Sequence, residues 1–299
     1  MADRLGSRET GVALASSSPL RTADRLGPAV VSVVVPVYNE FDNLRTLHQS
    51  LTEALGGRAY SLVFVDDGSS DGSLTVLSEL AGEDPHHVRL VELRRNFGQT
   101  AAIAAGIDHS DGEIIVLIDA DMQNDPADIP AMIEKLEQGY DVVSGWRIDR
   151  QDRLLTRRIP SRSANWLISR VTGVKLNDYG CTLKAYRREV LQGFRLYGEM
   201  HRFIPAYAGS VGARIIEMPV RHHPRLHGKT KYGLDRTTKV LLDLFTVKFL
   251  ISYSVKPIYL FGGTGVALIA PSLAVLLYLM LRRLMFGISV LGSPLFQKI

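Results

Sequence analysis

The sequence predicts an α/β fold, a mainly parallel central sheet with helices on both faces, followed by C-terminal amphipathic and transmembrane helices. Three observations support this. Apolar runs alternate with segments of helical periodicity from Val31 to Leu136, several of these runs end in acidic residues, and Pro257–Leu281 contains no charged residue. Alternating strands and helices are typical of a parallel sheet covered on both sides. An uncharged apolar stretch of about 20 residues is long enough to cross a bilayer as a helix.

The soluble part of the chain is predicted to begin near Val30. Residues 1–28 are rich in Ser, Ala and Arg without a sustained apolar run, so we expect a disordered tail. Residues 29–235 form the predicted globular α/β domain. Its strands are expected at Val31–Val35, Leu62–Val65, Val88–Leu93, Ile114–Ile118, Val142–Ser144 and Ile215–Val220. Helical spacing of apolar residues predicts helices over residues 44–55, 100–107 and 129–136.

The C-terminal part of the chain is predicted to contact a membrane. Residues 257–281 are expected to form the transmembrane helix, bracketed by Lys256 and Arg282-Arg283, and a buried core helix is the alternative. Residues 236–256 predict amphipathic juxtamembrane helices that lie on the bilayer surface or pack on the soluble domain. Residues 284–299 are apolar but too short to span, and we expect the start of a second, truncated membrane segment.

Composition narrows the function only slightly. The net charge is +4, and the basic residues concentrate between Arg147 and Lys256, which indicates an anionic partner such as phosphate, lipid headgroup or nucleic acid. We expect no nucleic-acid partner, because the basic residues are not interleaved with aromatic residues in a recognition motif. The single cysteine, Cys181, excludes an intramolecular disulfide and is expected to be packed, as are Trp146 and Trp166.

Acidic residues follow the fourth predicted strand, Ile114–Ile118. Asp119 and Asp121 come directly after it, and Gln123 lies two residues further on. In open α/β sheets, ligands bind beyond the carboxyl ends of the strands. Two carboxylates at this spacing suit Mg²⁺ or Mn²⁺, which use one or two protein carboxylates and leave other positions to substrate phosphates. The alternative is a turn followed by a helix start at Asp125-Pro126.

The first two predicted strands also end in polar residues at this edge. The first continues as Pro36-Val37-Tyr38-Asn39-Glu40, and the second as Val65-Asp66-Asp67-Gly68-Ser69-Ser70-Asp71-Gly72. Carboxylates at strand ends can accept hydrogen bonds from a base or a ribose, and glycines allow a tight turn around a ligand. An ordinary turn remains the alternative for the second string.

Four downstream motifs accompany these strand ends: Gly145-Trp146-Arg147, Ser161-Arg162-Ser163-Ala164-Asn165, Asn177-Asp178-Tyr179-Gly180 and Arg225-Leu226-His227-Gly228-Lys229-Thr230-Lys231. In this order, the strand ends and motifs resemble the family-two glycosyltransferases with the Rossmann-like GT-A fold. The resemblance is to the polyprenyl-phosphate type, such as dolichyl-phosphate mannose synthase and bacterial undecaprenyl-phosphate glucosyltransferases. Cys181-Thr182-Leu183-Lys184 departs from the more usual Phe-Arg-Leu of that family, at the predicted sugar and acceptor pocket.

The resemblance implies a role for each matched residue. The implied metal ligands are Asp119, Asp121 and Gln123, with Mg²⁺ or Mn²⁺ as the cofactor. The implied nucleotide-sugar contacts are Pro36, Tyr38, Glu40, Val65, Asp67, Asp119, Ala120, Asp121, Arg147, Arg225 and Lys231. The implied acceptor-phosphate contacts are Arg147, Arg158, Ser161 and Arg162, and the implied catalytic residues are Asp121, Asp178, Arg147 and Arg162.

The predicted reaction is the inverting transfer of a sugar from a nucleotide diphosphate, of the UDP-glucose or GDP-mannose type, to a polyprenyl phosphate at the cytoplasmic membrane face. A lipid monophosphate has a second pKa of about 6 and is already a nucleophile at neutral pH, so no strong general base is needed. The alternatives are a polysaccharide- or protein-directed transferase, although the Gln-x-x-Arg-Trp motif is absent, or a membrane-tethered nucleotide-sugar-binding scaffold. A homo-oligomer is possible.

Overall fold

The computed structural model describes residues 31–148, 159–192, 196, 198, 200–224, 242–249 and 256–286, with only the backbone at 159–164 and 286. The predicted N-terminal tail therefore lies outside the described residues. So do Arg158, the loop Arg225–Lys231, and residues 287–299 of the predicted second membrane segment.

The described residues form a seven-stranded sheet. Its strands are β1 (Val31–Val37), β2 (Tyr60–Asp66), β3 (Val88–Glu92), β4 (Ile114–Leu117), β5 (Val142–Trp146), β6 (Lys184–Arg187) and β7 (Ile215–Pro219). They lie in the order β3-β2-β1-β4-β6-β5-β7, and β6 alone in this sheet runs antiparallel to its neighbours. The prediction of a mainly parallel sheet is confirmed.

Strand β6 is the one strand of this sheet that the sequence prediction missed. It has four residues, and Lys184, Ala185 and Tyr186 are all buried, so it shows no alternation of apolar and polar side chains. Because β6 is antiparallel to β4, it begins where β4 ends, with Lys184 opposite Leu117. The residues just before β6 therefore lie at the sheet edge that carries Asp119.

Helices cover both faces of the sheet, as predicted. They are α1 (Leu44–Leu55), α2 (Ser73–Glu83), α3 (Gln99–Asp108), α4 (Ile129–Glu137), α5 (Ile159–Thr172), α6 (Arg188–Leu191) and α7 (Ile204–Ser210), with short 3-10 helices at Pro126–Asp128 and Met200–Phe203. One apolar core joins α1, α2 and α4 to one face of the sheet. A second joins α3, α6 and α7 to the opposite face. The first two strands are buried along nearly their whole length because both faces are covered.

Residues 242–249 form helix α8 within the predicted juxtamembrane segment. Leu244 and Val247 are buried in a third core that also contains Ile168 of α5. On the opposite face, Leu242 is 63% exposed and Phe245 is 75% exposed. One side of α8 thus packs on the soluble domain and the other presents apolar side chains outward, so the helix has a feature of each alternative that the sequence left open.

Helix α9 (Ile258–Phe286) is the candidate membrane span. Within Ile258–Met285, the most apolar window of 18 residues has a mean hydropathy of 2.1, and no part of that window is buried against the described protein. The helix continues past the predicted end at Leu281, through Arg282-Arg283, so the residues from Leu284 to Phe286 belong to the same helix. Basic side chains do not interrupt helical hydrogen bonds, and at a membrane surface they extend toward water.

Candidate active site

The two metal-binding candidates lie at the carboxyl end of β4. Asp121 is buried, and the backbone N–H of Gln123 donates to its Oδ1 over 3.2 Å. Met122 between them has φ 58°, a left-handed conformation that turns the chain sharply at this point. Beyond the turn, the Asp125 carboxylate accepts a hydrogen bond from the backbone N–H of Ala127, which caps the 3-10 helix. The helix start that was the alternative explanation of this segment is therefore present at Asp125-Pro126, and the acidic pair lies before it.

The electrostatic environment of Asp119 is unfavourable for a lone carboxylate. Removal from water raises the pKa of Asp119 to about 6, and the charge of Asp121 acts in the same direction. Hydrogen bonding from Thr182 and the charges of Arg147 and Lys184 offset this only in part. A carboxylate removed from water beside a second acidic group attracts a cation strongly.

This donor set fits a divalent cation of the Mg²⁺ or Mn²⁺ class. Asp119 and Asp121 would supply hard carboxylate oxygens, and Gln123 would supply an amide oxygen two residues further on. Over the described ranges, no group of three or more His, Cys, Asp or Glu side chains could hold a metal ion. A site with few protein ligands suits Mg²⁺ and Mn²⁺, because these ions retain water molecules or bind substrate phosphates at their other positions.

Asp67, a predicted nucleotide contact, binds the loop that follows β3. Its Oδ1 accepts from the backbone N–H of Phe97 over 2.7 Å, and its Oδ2 from that of Gly98 over 2.9 Å. Burial raises the pKa of Asp67, and these two hydrogen bonds lower it only in part. The structure therefore gives Asp67 a loop-positioning role. Each carboxylate oxygen has a second lone pair, so a further contact to a nucleotide is compatible with these bonds.

The end of β1 and the loop after β2 are tied together. The Ser69 hydroxyl accepts from the backbone N–H of Asn39 over 3.0 Å, and the Asn39 side-chain oxygen accepts from that of Ser70 over 2.8 Å. The Ser73 hydroxyl likewise accepts from the backbone N–H of Glu40. Gly68 is required in this loop, because a Cβ there would lie 2.6 Å from the Arg95 carbonyl carbon.

Four more predicted nucleotide contacts lie at this same edge. Pro36 and Val65 are paired in the register of β1 and β2, and Ala120 is buried between the two acidic residues. Tyr38 is 37% exposed at the end of β1. The structure thus brings together the predicted residues of β1, β2 and β4 at one edge of the sheet.

Arg147 and Asp178 form a buried ion pair. Arg147 Nε donates to Asp178 Oδ2 over 2.7 Å and Nη2 donates to Oδ1 over 3.0 Å. Burial by itself would lower the pKa of Arg147, but the hydrogen bond and charge of Asp178 outweigh it and raise that pKa. Glu217 of β7 accepts from the backbone N–H of Asp178, which holds the segment in place.

Two side chains near Asp119 were not among the predicted site residues. The Gln99 amide donates to Asp119 Oδ1 over 2.6 Å, and the Lys184 ammonium donates to the carbonyls of Tyr179 and Cys181. Burial lowers the pKa of Lys184. The sequence could have indicated Lys184 only if β6 had been recognised as a strand next to β4.

The structure decides the expectations for Cys181 and the tryptophans. Cys181 is fully buried, as predicted, and burial raises the pKa of its thiol to about 11. Trp146 is partly buried at the end of β5, whereas Trp166 on α5 is 68% exposed, so the prediction that it packs is wrong. The third core takes Ile168 from this helix and not Trp166.

The residues just before the predicted pyrophosphate loop lie close to the turn that follows the acidic pair. The backbone N–H of His223 donates to the Gln123 carbonyl over 2.8 Å, and Arg221 forms ion pairs with Asp125 and Asp128. The loop residues Arg225 and Lys231 lie outside the described residues, as do Arg158 and the side chains of Ser161 and Arg162. Their roles remain predictions.

Comparisons with known proteins agree with this geometry. The sequence model of glycosyl transferase family 2 matches residues 32–194. The chain is 44% identical over 283 residues to dodecaprenyl-phosphate galacturonate synthase of Rhizobium johnstonii, covering 93% of this chain and 84% of that protein. It is 45% identical to undecaprenyl-phosphate 4-deoxy-4-formamido-L-arabinose transferase of Edwardsiella ictaluri, covering 86% of this chain and 78% of that protein.

A solved structure shows the same fold. Glucosyl-3-phosphoglycerate synthase from Mycobacterium tuberculosis, in complex with Mn²⁺, UDP and phosphoglyceric acid, aligns with a TM-score of 0.57 at 18% identity, covering 79% of this chain and 84% of that one. This likeness supports the GT-A architecture that the sequence resemblance implied. With a family match over more than half of its length and relatives above 40% identity, the chain belongs to glycosyl transferase family 2.

Proposed function

We propose that this protein transfers a sugar from a nucleotide diphosphate donor to a polyprenyl phosphate, with inversion at the anomeric carbon. The observation that carries the proposal is the Asp119 and Asp121 pair at the carboxyl end of β4, in a domain that packs against α8 and is followed by a candidate membrane span. Relatives whose names specify dodecaprenyl and undecaprenyl phosphate support this acceptor class.

The donor is held by its nucleotide and its diphosphate. Asp119, Asp121 and Gln123 would hold Mg²⁺ or Mn²⁺, which when bound stabilises the negative charge of the departing diphosphate. Pro36, Tyr38, Glu40, Val65, Asp67 and Ala120 are the candidate contacts to the base and ribose. Arg225 and Lys231 are the candidates that neutralise the diphosphate from the loop after β7, whose approach is anchored beside Gln123.

The acceptor supplies its own nucleophile. A phosphate monoester carries between one and two negative charges at neutral pH, so the protein must bind it and orient it, without a strong base. Arg147, Arg158, Ser161 and Arg162 are the candidates, and guanidinium groups suit this task because they bind phosphate oxygens in pairs. Asp178 holds the Arg147 guanidinium in one orientation, which we assign as its contribution to catalysis.

The site works at the membrane surface in this proposal. Helices α5 and α8 share one core and expose Trp166, Leu242 and Phe245. The Phe249 ring of α8 lies 5.8 Å from that of Phe261 in α9, which connects the exposed surface to the candidate span. Tryptophan is enriched at the membrane interface, and an apolar helix face can lie in the headgroup region. Catalysis would take place on the cytoplasmic side, where the basic residues upstream of α9 favour the domain.

The names of the relatives also bear on which sugar the nucleotide donor carries. The resemblance found in the sequence suggested UDP-glucose or GDP-mannose, whereas the names of the relatives specify galacturonate and 4-deoxy-4-formamido-L-arabinose. We therefore place nucleotide donors of these two sugars ahead of glucose and mannose. The Cys181-Thr182-Leu183-Lys184 segment, which departs from the more usual sequence of the resembling enzymes, lies next to the acidic pair and is the candidate determinant of this difference.

The test is a transfer assay with the full chain in vesicles that contain undecaprenyl phosphate. Each donor is supplied in labelled form with Mn²⁺ or Mg²⁺, and lipid-extractable label is measured. We expect one donor to give a lipid-linked sugar and Asp121→Ala to give none while retaining its fold. A folded wild-type protein that labels no lipid with any donor would contradict the proposal, and label in protein or polysaccharide would identify the alternative acceptor class.

A further inference from the structure

We infer that Gln99 is a positioning residue that orients the Asp119 carboxylate for metal binding. This inference rests on the proposed metal site. It concerns a residue that carries no charge and that none of the sequence motifs above includes. Its basis is a chain of hydrogen bonds that runs from β2, past the end of β1, to the end of β4.

The direct contact joins the first residue of α3 to the first acidic residue after β4. Gln99 Nε2 donates to Asp119 Oδ1 over 2.6 Å, between residues 20 positions apart in the chain. An ionised carboxylate only accepts hydrogen bonds, so the donor must be the amide nitrogen of Gln99. A bond of this length fixes the rotation of the carboxylate about its χ2 angle, which is otherwise a broad torsion.

The position of Gln99 is itself held. The two residues before it, Phe97 and Gly98, donate their backbone N–H groups to the two oxygens of Asp67 at the end of β2. Gly98 has φ 95°, a conformation that favours glycine, and α3 begins at the next residue. Since β1 lies between β2 and β4, this loop crosses the end of β1 and links two acidic strand ends.

A neutral amide is chemically suited to this role. It orients a metal-binding carboxylate without adding positive charge, whereas an arginine or lysine in contact with Asp119 would neutralise it and weaken its attraction for a cation. The Thr182 side chain, just before β6, supports Asp119 in the same uncharged way. Groups that orient a metal ligand by hydrogen bonding often change metal affinity by 10- to 100-fold, roughly, when they are removed.

The test measures Mn²⁺ affinity by electron paramagnetic resonance of the free ion, with the full chain in detergent and no donor present. We expect Gln99→Leu to weaken Mn²⁺ binding by about tenfold or more. The matched control is Gln49→Leu, which removes an equivalent amide-to-carboxylate hydrogen bond, Gln49 to Glu53, on the exposed surface of α1. This control should bind Mn²⁺ as the wild type does.

A second variant keeps the inference open to refutation. Gln99→Met matches the length of glutamine and lacks the donor, so it should fold and show the same weakened affinity. Unchanged Mn²⁺ affinity in a folded Gln99→Leu or Gln99→Met protein overturns the inference, and so does failure of both variants to fold. If the wild type binds Mn²⁺ and Gln99 variants bind it weakly, yet no donor is transferred, the positioning role holds and the proposed function fails.

Discussion

The Arg147 guanidinium and the Asp178 carboxylate form a two-point ion pair, with N···O distances of 2.7 and 3.0 Å, and side-chain exposures of 13% and 8%. Two charges with so little access to water stabilise a protein only while both are present. The pair joins the end of β5 to the segment before β6, at the sheet edge where the acidic pair lies. Its integrity is therefore relevant to stability and to the phosphate binding that we propose for Arg147.

We expect Asp178→Ala to lower the free energy of unfolding by about 3–5 kcal/mol, because it leaves the buried Arg147 charge uncompensated. The double variant Arg147→Met with Asp178→Ala should recover much of this loss, since no isolated charge remains. Urea denaturation in detergent measures both. The control is Glu137→Ala, which breaks the exposed ion pair with Arg58 and should cost less than about 1 kcal/mol. Equal effects at the two sites would contradict a buried pair.

Metal affinity should depend on pH through Asp119. Its pKa is raised to about 6 by removal from water and by the charge of Asp121, and a cation binds the deprotonated carboxylate. Mn²⁺ affinity is therefore expected to be nearly full from about pH 7 upward and to fall below pH 6, by up to about tenfold per pH unit, as protons compete. Titrations of Mn²⁺ between pH 5 and 8 check this. An affinity that is constant across the interval would rule out Asp119 as a ligand.

The only thiol of the chain should resist alkylation in the folded protein. Cys181 is fully buried and its pKa is raised to about 11 by burial, so at pH 8 only about a thousandth of it is thiolate. Mass spectrometry after iodoacetamide treatment should show the native protein unlabelled and the unfolded protein labelled once. The raised pKa of Cys181 also makes the free energy of unfolding depend on pH. The stability that the buried thiol contributes is full below pH 9, the ordinary pKa of a cysteine, and is lost as the pH rises toward 11.

Trp166 should contact lipid. Trp146→Phe leaves Trp166 as the single tryptophan of the chain, and Trp166, which is 68% exposed on α5, belongs to the surface that we assign to the membrane. In vesicles with brominated lipids, its fluorescence should be strongly quenched. The control places a tryptophan at the exposed Gln49 of α1, with both native tryptophans replaced by phenylalanine. Helix α5 shares the third core with α7, and α7 lies on the opposite face of the sheet from α1, so this tryptophan should escape quenching. Similar quenching at both positions would refute the assigned surface.

Local sequence was sufficient to place the acidic residues that directly follow strand ends. Asp67, Asp119 and Asp121 were predicted to meet at one edge because each follows a buried run, and parallel strands bring their carboxyl ends together. The same reasoning could not find Gln99 or Thr182. Gln99 lies in a loop directed across the sheet by Asp67, and Thr182 precedes a four-residue antiparallel strand whose buried residues give no periodic signal.

The sequence by itself determined the fold class, the acidic pair and the candidate membrane span, because these depend on short-range patterns of apolar and charged residues. Only the tertiary structure decided which charges neutralise one another. Arg147 and Asp178, 31 residues apart, form a buried pair, and Lys184 is buried next to the acidic edge. Such pairings depend on strand order and direction, and the insertion of one antiparallel strand between β4 and β5 sets both at this site.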